Sequence, residues 1–141
     1  MKNVLLFLII GSSVLLADFI RDDVSNTVTD NATQLQWQDD LNVSTIKTWQ
    51  GAIDHCEALT LDGQSDWRLP NKNELYSIVD RTVSTPAINP VFENIESSLY
   101  WSSTTYRFDP VDAWYIGFTF GLDGNADKIG GFYVRCVRGG Q

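Results

Sequence analysis

Cysteine and histidine are scarce in this chain. Only Cys56, Cys136 and His55 represent them among 141 residues. Two thiols and one imidazole cannot supply the four ligands of a structural zinc site. No serine, cysteine or acid is placed by sequence to form a catalytic triad with His55, which falls on the solvent side of a predicted helix. Cations are scarce as well: ten Lys and Arg against 18 Asp and Glu leave a net charge of −8. An acidic chain is a poor ligand for nucleic acid, whose phosphates call for clustered Lys and Arg, and it is repelled by anionic membrane surfaces. There is no internal repeat, linker or low-complexity segment, so the length suits one domain.

A long apolar run is present only at the start. Lys2 precedes the apolar stretch Val4–Ile10, which resumes at Val14–Leu16 and ends at Ala17 before the polar Asp18. About 20 apolar residues are needed to span a bilayer, and this run is shorter and interrupted, so residues 1–17 are expected to be a cleaved signal peptide. No cysteine follows Ala17, so no lipoprotein anchor is expected. Residues 18–141 then form a secreted, periplasmic or cell-envelope domain without stable membrane insertion. In an exported chain two cysteines most simply form one disulfide, the alternative being two buried free thiols. A Cys56–Cys136 bridge would close a loop of about 80 residues, worth on the order of 4–5 kcal/mol.

Aromatics are plentiful, with five Trp, five Tyr and seven Phe, enough for a substantial core. Thr27–Thr29 and Leu35–Gln38 read as arms of a hairpin turning at Asp30-Asn31, and the first arm is expected beside the C-terminal strand. Thr45–Leu61 reads as a helix capped by Thr48, with Trp49, Ala52, Ile53, Cys56 and Leu59 on its apolar face. Asp62-Gly63 ends it. Trp67 and Leu69 form a short extended piece, and Asn71 with Glu74 makes a capping box for a second helix buried through Leu75, Ile78 and Val79. Residues 82–98 are irregular. Leu99–Thr104 and Ala113–Phe120 read as strands, Tyr106–Asp112 and Gly121–Asp127 as loops. Phe132–Arg138 reads as one final strand, forming a hairpin with 113–120.

The segments DWRLPNKNELYSIVD, PAINPVFEN, YWSSTTY and FYVRCVRG together resemble the Lcl C-terminal domain family, over roughly Val28–Gly139. The resemblance implies an α+β, C-type-lectin-like fold: two helices packed on small, mostly antiparallel sheets, paired N- and C-terminal strands, and a long irregular loop region. It also implies a bridge from a first-helix cysteine to one on the last strand, the places of Cys56 and Cys136. The family's namesake resembles a surface adhesin that binds sulfated polysaccharides. Here no collagen-like repeat precedes the domain, and a polyanion would be repelled unless Arg81, Arg107, Lys128, Arg135 and Arg138 cluster or a cation bridges.

The expected function is an exported, non-catalytic module recognising carbohydrate or a protein surface through the loops before and after strand 113–120. The contacts expected are Tyr106, Arg107, Asp109, Asp112, Tyr115 and Lys128, with Tyr106 and Tyr115 favoured over Trp114 as exposed aromatics. Trp67 and Trp101 are assigned to the core. Asp123, Asn125 and Asp127 have the alternating oxygen spacing of a calcium-loop start, although Lys128 and Val134 stand where an EF-hand needs Gly and Glu; a hairpin loop explains them too. Asp22-Asp23 and Asp39-Asp40 are read as turn and solvating residues. One alternative is a structural or assembly protein of the envelope. A weaker one is an oxidoreductase like the formylglycine-generating enzymes, whose chemistry needs reactive thiols.

Overall fold

The computed structural model describes residues 18–140; the expected signal peptide, 1–17, lies outside them. The fold is α+β, with two helices and two mostly antiparallel sheets, compatible with a small lectin-like domain. Strands β1 (Phe19–Asp22), β2 (Thr27–Asp30) and β3 (Leu35–Gln38) form an antiparallel meander. The last strand, β9 (Val137–Gly139), joins it beside β3, pairing Trp37 with Val137. The C-terminal strand therefore lies against the second arm of the predicted hairpin, because the first arm is taken by β1.

The second sheet has the order β4-β8-β5-β6-β7. Its members are β4 (Ile46–Lys47), β5 (Leu99–Thr105), β6 (Asp112–Gly117), β7 (Leu122–Asp127) and β8 (Phe132–Tyr133). Several expectations are corrected here. Residues 122–127 are a strand, not a loop, and β6 forms its hairpin with β7 in continuous register from Asp112↔Asp127 to Gly117↔Leu122. The 113–120 strand ends at Gly117, and the turn that follows leaves Phe120 exposed. Phe132–Arg138 is also not one strand: β8 belongs to the second sheet and β9 to the first, and residues 134–136 cross between them. Its period of two is real, but both faces are covered. Tyr133 and Val137 pack in one core with Trp37, Leu75, Ile116 and Phe118. Phe132, Val134 and Cys136 pack in the other with Ala52, Cys56, Trp67 and Trp101.

Helix α1 (Trp49–Glu57) is shorter than the predicted 45–61, because residues 46–47 are drawn into β4. Thr48 caps it by accepting from the Gly51 amide, and Ala52 and Cys56 are buried as expected. Cys56 is joined to Cys136. Helix α2 (Lys72–Ser77) starts from the predicted capping box: the Glu74 amide donates to Asn71 at 2.8 Å and the Asn71 amide donates to Glu74 at 2.9 Å. The helix start is tied to β5, since the Ser103 amide donates to the Pro70 carbonyl and the Lys72 amide to Thr104 Oγ1.

The 134–136 crossing carries a buried charge. Arg135 and Asp39 are both fully buried, and the guanidinium donates to Asp39 Oδ1 at 2.9 Å and to the carbonyls of Gln38 and Asn94. Arg21 pairs with the other carboxylate oxygen, which also accepts from the Glu93 amide. Asp39 is therefore a core anchor and not a solvating residue. Burial pulls the Arg135 guanidinium down to about 10, which leaves it cationic at neutral pH.

Candidate functional site

The face of the β6–β7 hairpin turned toward α2 is set by strand alternation. Asp112, Trp114 and Ile116 of β6 share it with their register partners Asp127, Asn125 and Asp123 of β7. Ile116 is buried under the core that includes α2, while Trp114 belongs to neither core cluster. Because α2 begins against β5, its first residue, Lys72, reaches over this face. The Lys72 ammonium sits 3.4 Å from the Trp114 ring centroid and 2.6 Å from Asp123 Oδ2. Its hydrogen bond to Asp123 holds that carboxyl below the usual carboxylate range. A lysine in the first turn opposes the helix dipole. Its place directly after a strong cap was the signal that could have marked it as serving something other than the helix.

The loop from 106 to 111 completes the surface. Tyr106 meets Trp114 edge-on at 5.1 Å and Phe108 at 5.6 Å, giving three connected rings. Phe108 is 75% exposed. The loop is braced: the Tyr106 amide donates to the Asp112 carbonyl, the Asp112 amide to the Asp109 carbonyl, and the Val111 amide to Asp109 Oδ1. Lys128 holds it from the opposite face, donating to Thr105 Oγ1 at 3.0 Å and the Pro110 carbonyl at 2.9 Å above the Trp49 ring.

Of the expected contacts, Tyr106, Arg107, Asp109 and Asp112 come together on or beside this loop. Lys128 is a brace on its back. Tyr115 lies on the other face of β6, edge-on to Phe132 at 5.3 Å and against Gly124; it and Trp114 are both half-buried, and only Trp114 adjoins the 106–111 loop. Sequence reasoning ranks Trp114 below Tyr106 and Tyr115 and does not single out Phe108 or Lys72, which the structure places beside Tyr106 and Trp114.

The calcium expectation loses its loop. Asp123, Asn125 and Asp127 stand in a row along a strand, Asp123 is paired with Lys72, and Asp127 Oδ1 accepts from the Ile129 amide. Among the described residues no group of three or more His, Cys, Asp and Glu side chains converges to hold an ion. The arginines do not cluster either. Arg135 is buried, Arg138 is paired with Asp66, and Arg81 donates to the Gly121 carbonyl. His55 is half-buried, with Nε2 enclosed and unpartnered; burial, then Lys47, lowers its pKa.

Two concavities lie elsewhere. One of about 550 Å³ is polar, lined by Arg21, Asn26, Asp40, Asn42, Glu93 and Asn94. One of about 280 Å³ lies beside the exposed Phe120 and Leu122, against Tyr115 and Gly117. Among the described residues no helix is long and apolar enough to cross a membrane. A family model described as the Lcl C-terminal domain matches residues 26–138. No curated protein matches the chain.

Proposed function

The chain belongs to the Lcl C-terminal domain family, and from there we propose that it is an exported, non-catalytic module that binds carbohydrate at the Tyr106–Phe108–Trp114 surface. The observation that carries this reading is the connected group of three rings outside both cores, ending in an exposed Phe108. Rings held this way offer apolar area at small entropic cost and suit the C–H faces of a pyranose. Carboxylate and amide acceptors flank them at Asp109, Asp112 and Asn125, as a hydroxyl-rich ligand requires. Export is supported by the N-terminal apolar pattern and by a disulfide, a bond that persists in oxidising compartments. The chain's two cysteines are joined to each other, which argues against the thiol chemistry of the oxidoreductase alternative. A glycan array probed with the protein and with Phe108→Ala tests the reading: array hits that vanish in the variant support it, and hits indifferent to the variant refute this surface.

A second reading has its own observation. The concavity beside Phe120 and Leu122 adjoins β7, an edge strand of the second sheet. Exposed apolar residues at a sheet edge suit a protein partner. Capture of an envelope protein that is lost on Phe120→Ser but kept on Phe108→Ala would favour it.

A further inference from the structure

We infer that the ligand of the Tyr106–Phe108–Trp114 surface is an uncharged glycan and that sulfated glycans are rejected; this rests on the binding function proposed above. The basis is the state of every charge around the three rings. A sulfate needs uncommitted cationic donors, best from a guanidinium fork. Lys72 is already held by Asp123 and the Trp114 ring. Lys128 spends its ammonium on Thr105, the Pro110 carbonyl and Trp49, and does so on the opposite face. Arg107 alone is exposed beside the rings, stacked 4.9 Å from the Phe108 centroid.

Against these stand Asp109, Asp112 and Asp127, while Asp123 and Lys72 offset each other. Asp112 and Asp127 are cross-strand partners on the Trp114 face. No other described arginine relieves this: Arg21 and Arg135 are paired with Asp39, Arg68 with Glu74 and Arg138 with Asp66, and Arg81 donates to the Gly121 carbonyl. A polyanion approaching the rings would therefore meet carboxylates and find no basic track, in a chain already at −8. A sugar hydroxyl meets the reverse condition. It can donate to the same carboxylates, in charge-assisted hydrogen bonds stronger than neutral ones, and accept from the Asn125 amide while the ring rests on Phe108.

The test titrates the protein calorimetrically with cellohexaose, chitohexaose and mannohexaose, and separately with heparin. The expected result is binding to at least one neutral hexasaccharide, unchanged between about 0.05 and 0.5 M salt because no charge pair is made. Phe108→Ala should weaken it roughly tenfold with an unchanged near-UV spectrum. Heparin should give no binding. Heparin binding that falls with salt and is weakened by Phe108→Ala, with no response to the neutral sugars, overturns the inference but keeps the proposed surface. Silence toward all four probes overturns both. Because Asp112 is an acceptor in this account, Asp112→Ala should weaken the neutral sugar severalfold. Unchanged sugar affinity together with newly gained heparin binding would show only a repulsive role and contradict it.

Discussion

Asp39 holds a carboxylate with no solvent exposure between two guanidinium groups, Arg21 and Arg135. Removing one partner of such a pair leaves the other charged in a dry interior, which typically costs about 3–5 kcal/mol. Asp39→Ala should lower the urea-unfolding free energy by that amount, since it strands the fully buried Arg135, while Arg21 keeps Asp23 and Glu93. Arg135→Met should cost less, because Asp39 keeps Arg21 and two backbone amides. Equal losses would mean that Arg21 contributes nothing. His55 gives a second test, clean because it is the sole histidine. Burial, followed by the Lys47 charge, depresses its folded pKa below the ordinary value of about 6.5. The folded state thus prefers neutral His55, and the unfolded chain binds more protons between the two pKa values. Its contribution to stability is complete above about pH 6.5 and is lost as pH falls through the folded pKa. An NMR titration should place the imidazole below the ordinary value, and His55→Gln should flatten the dependence of stability on pH in that window. A titration at or above the ordinary value contradicts the burial.

The β6–β7 hairpin is the element that positions the site, and its turn depends on Gly121. That residue has φ +70, and a Cβ there would lie 2.5 Å from Val79 Cγ1. Gly121→Ala should cost about 1–3 kcal/mol, from the left-handed backbone and the crowding against Val79; an unchanged melting temperature would refute the turn. What the sequence made legible at this scale was local chemistry. Thr48 and Asn71 announced their helices because a cap is specified within four residues. Leu35 and Trp37 announced the inner face of β3 by alternation. The β7 strand was missed because Leu122–Asp127 is four-sixths Asp, Gly and Asn, whose turn preference is overridden by pairing along the whole of β6. The final segment was read with the correct period but as one strand, since alternation says nothing of which sheet each half joins. The site was half legible. Tyr106 and Asp112 were marked by the loop around Asp109-Pro110, but Lys72 reaches Trp114 from 42 positions away, and only the packing of α2 on β5 brings them together.

At the scale of the whole molecule, one covalent link and one buried ion pair hold the two halves of the chain. The Cys56–Cys136 bridge spans 80 residues, and the chain-entropy model gives it about 4–5 kcal/mol. Reduction should therefore lower the urea midpoint well outside error, and an unmoved midpoint would assign the stability to the cores and Asp39 alone. With the frame fixed in this way, loop 106–111 is braced on the β6–β7 face by backbone hydrogen bonds and by Lys128, and a surface already ordered would lose less entropy on binding. The central claim is that ligand meets this surface and not either of the two concavities. The most direct measurement is an NMR titration of the protein with a neutral hexasaccharide that binds calorimetrically, followed through backbone amides and the indole N–H groups. The account predicts shifts confined to Trp114, Tyr106, Phe108, Asp112, Asn125 and Lys72, with Trp37 and Trp67 silent. Shifts centred on Asn26, Asn42 and Asn94, or on Phe120 and Leu122, would contradict it.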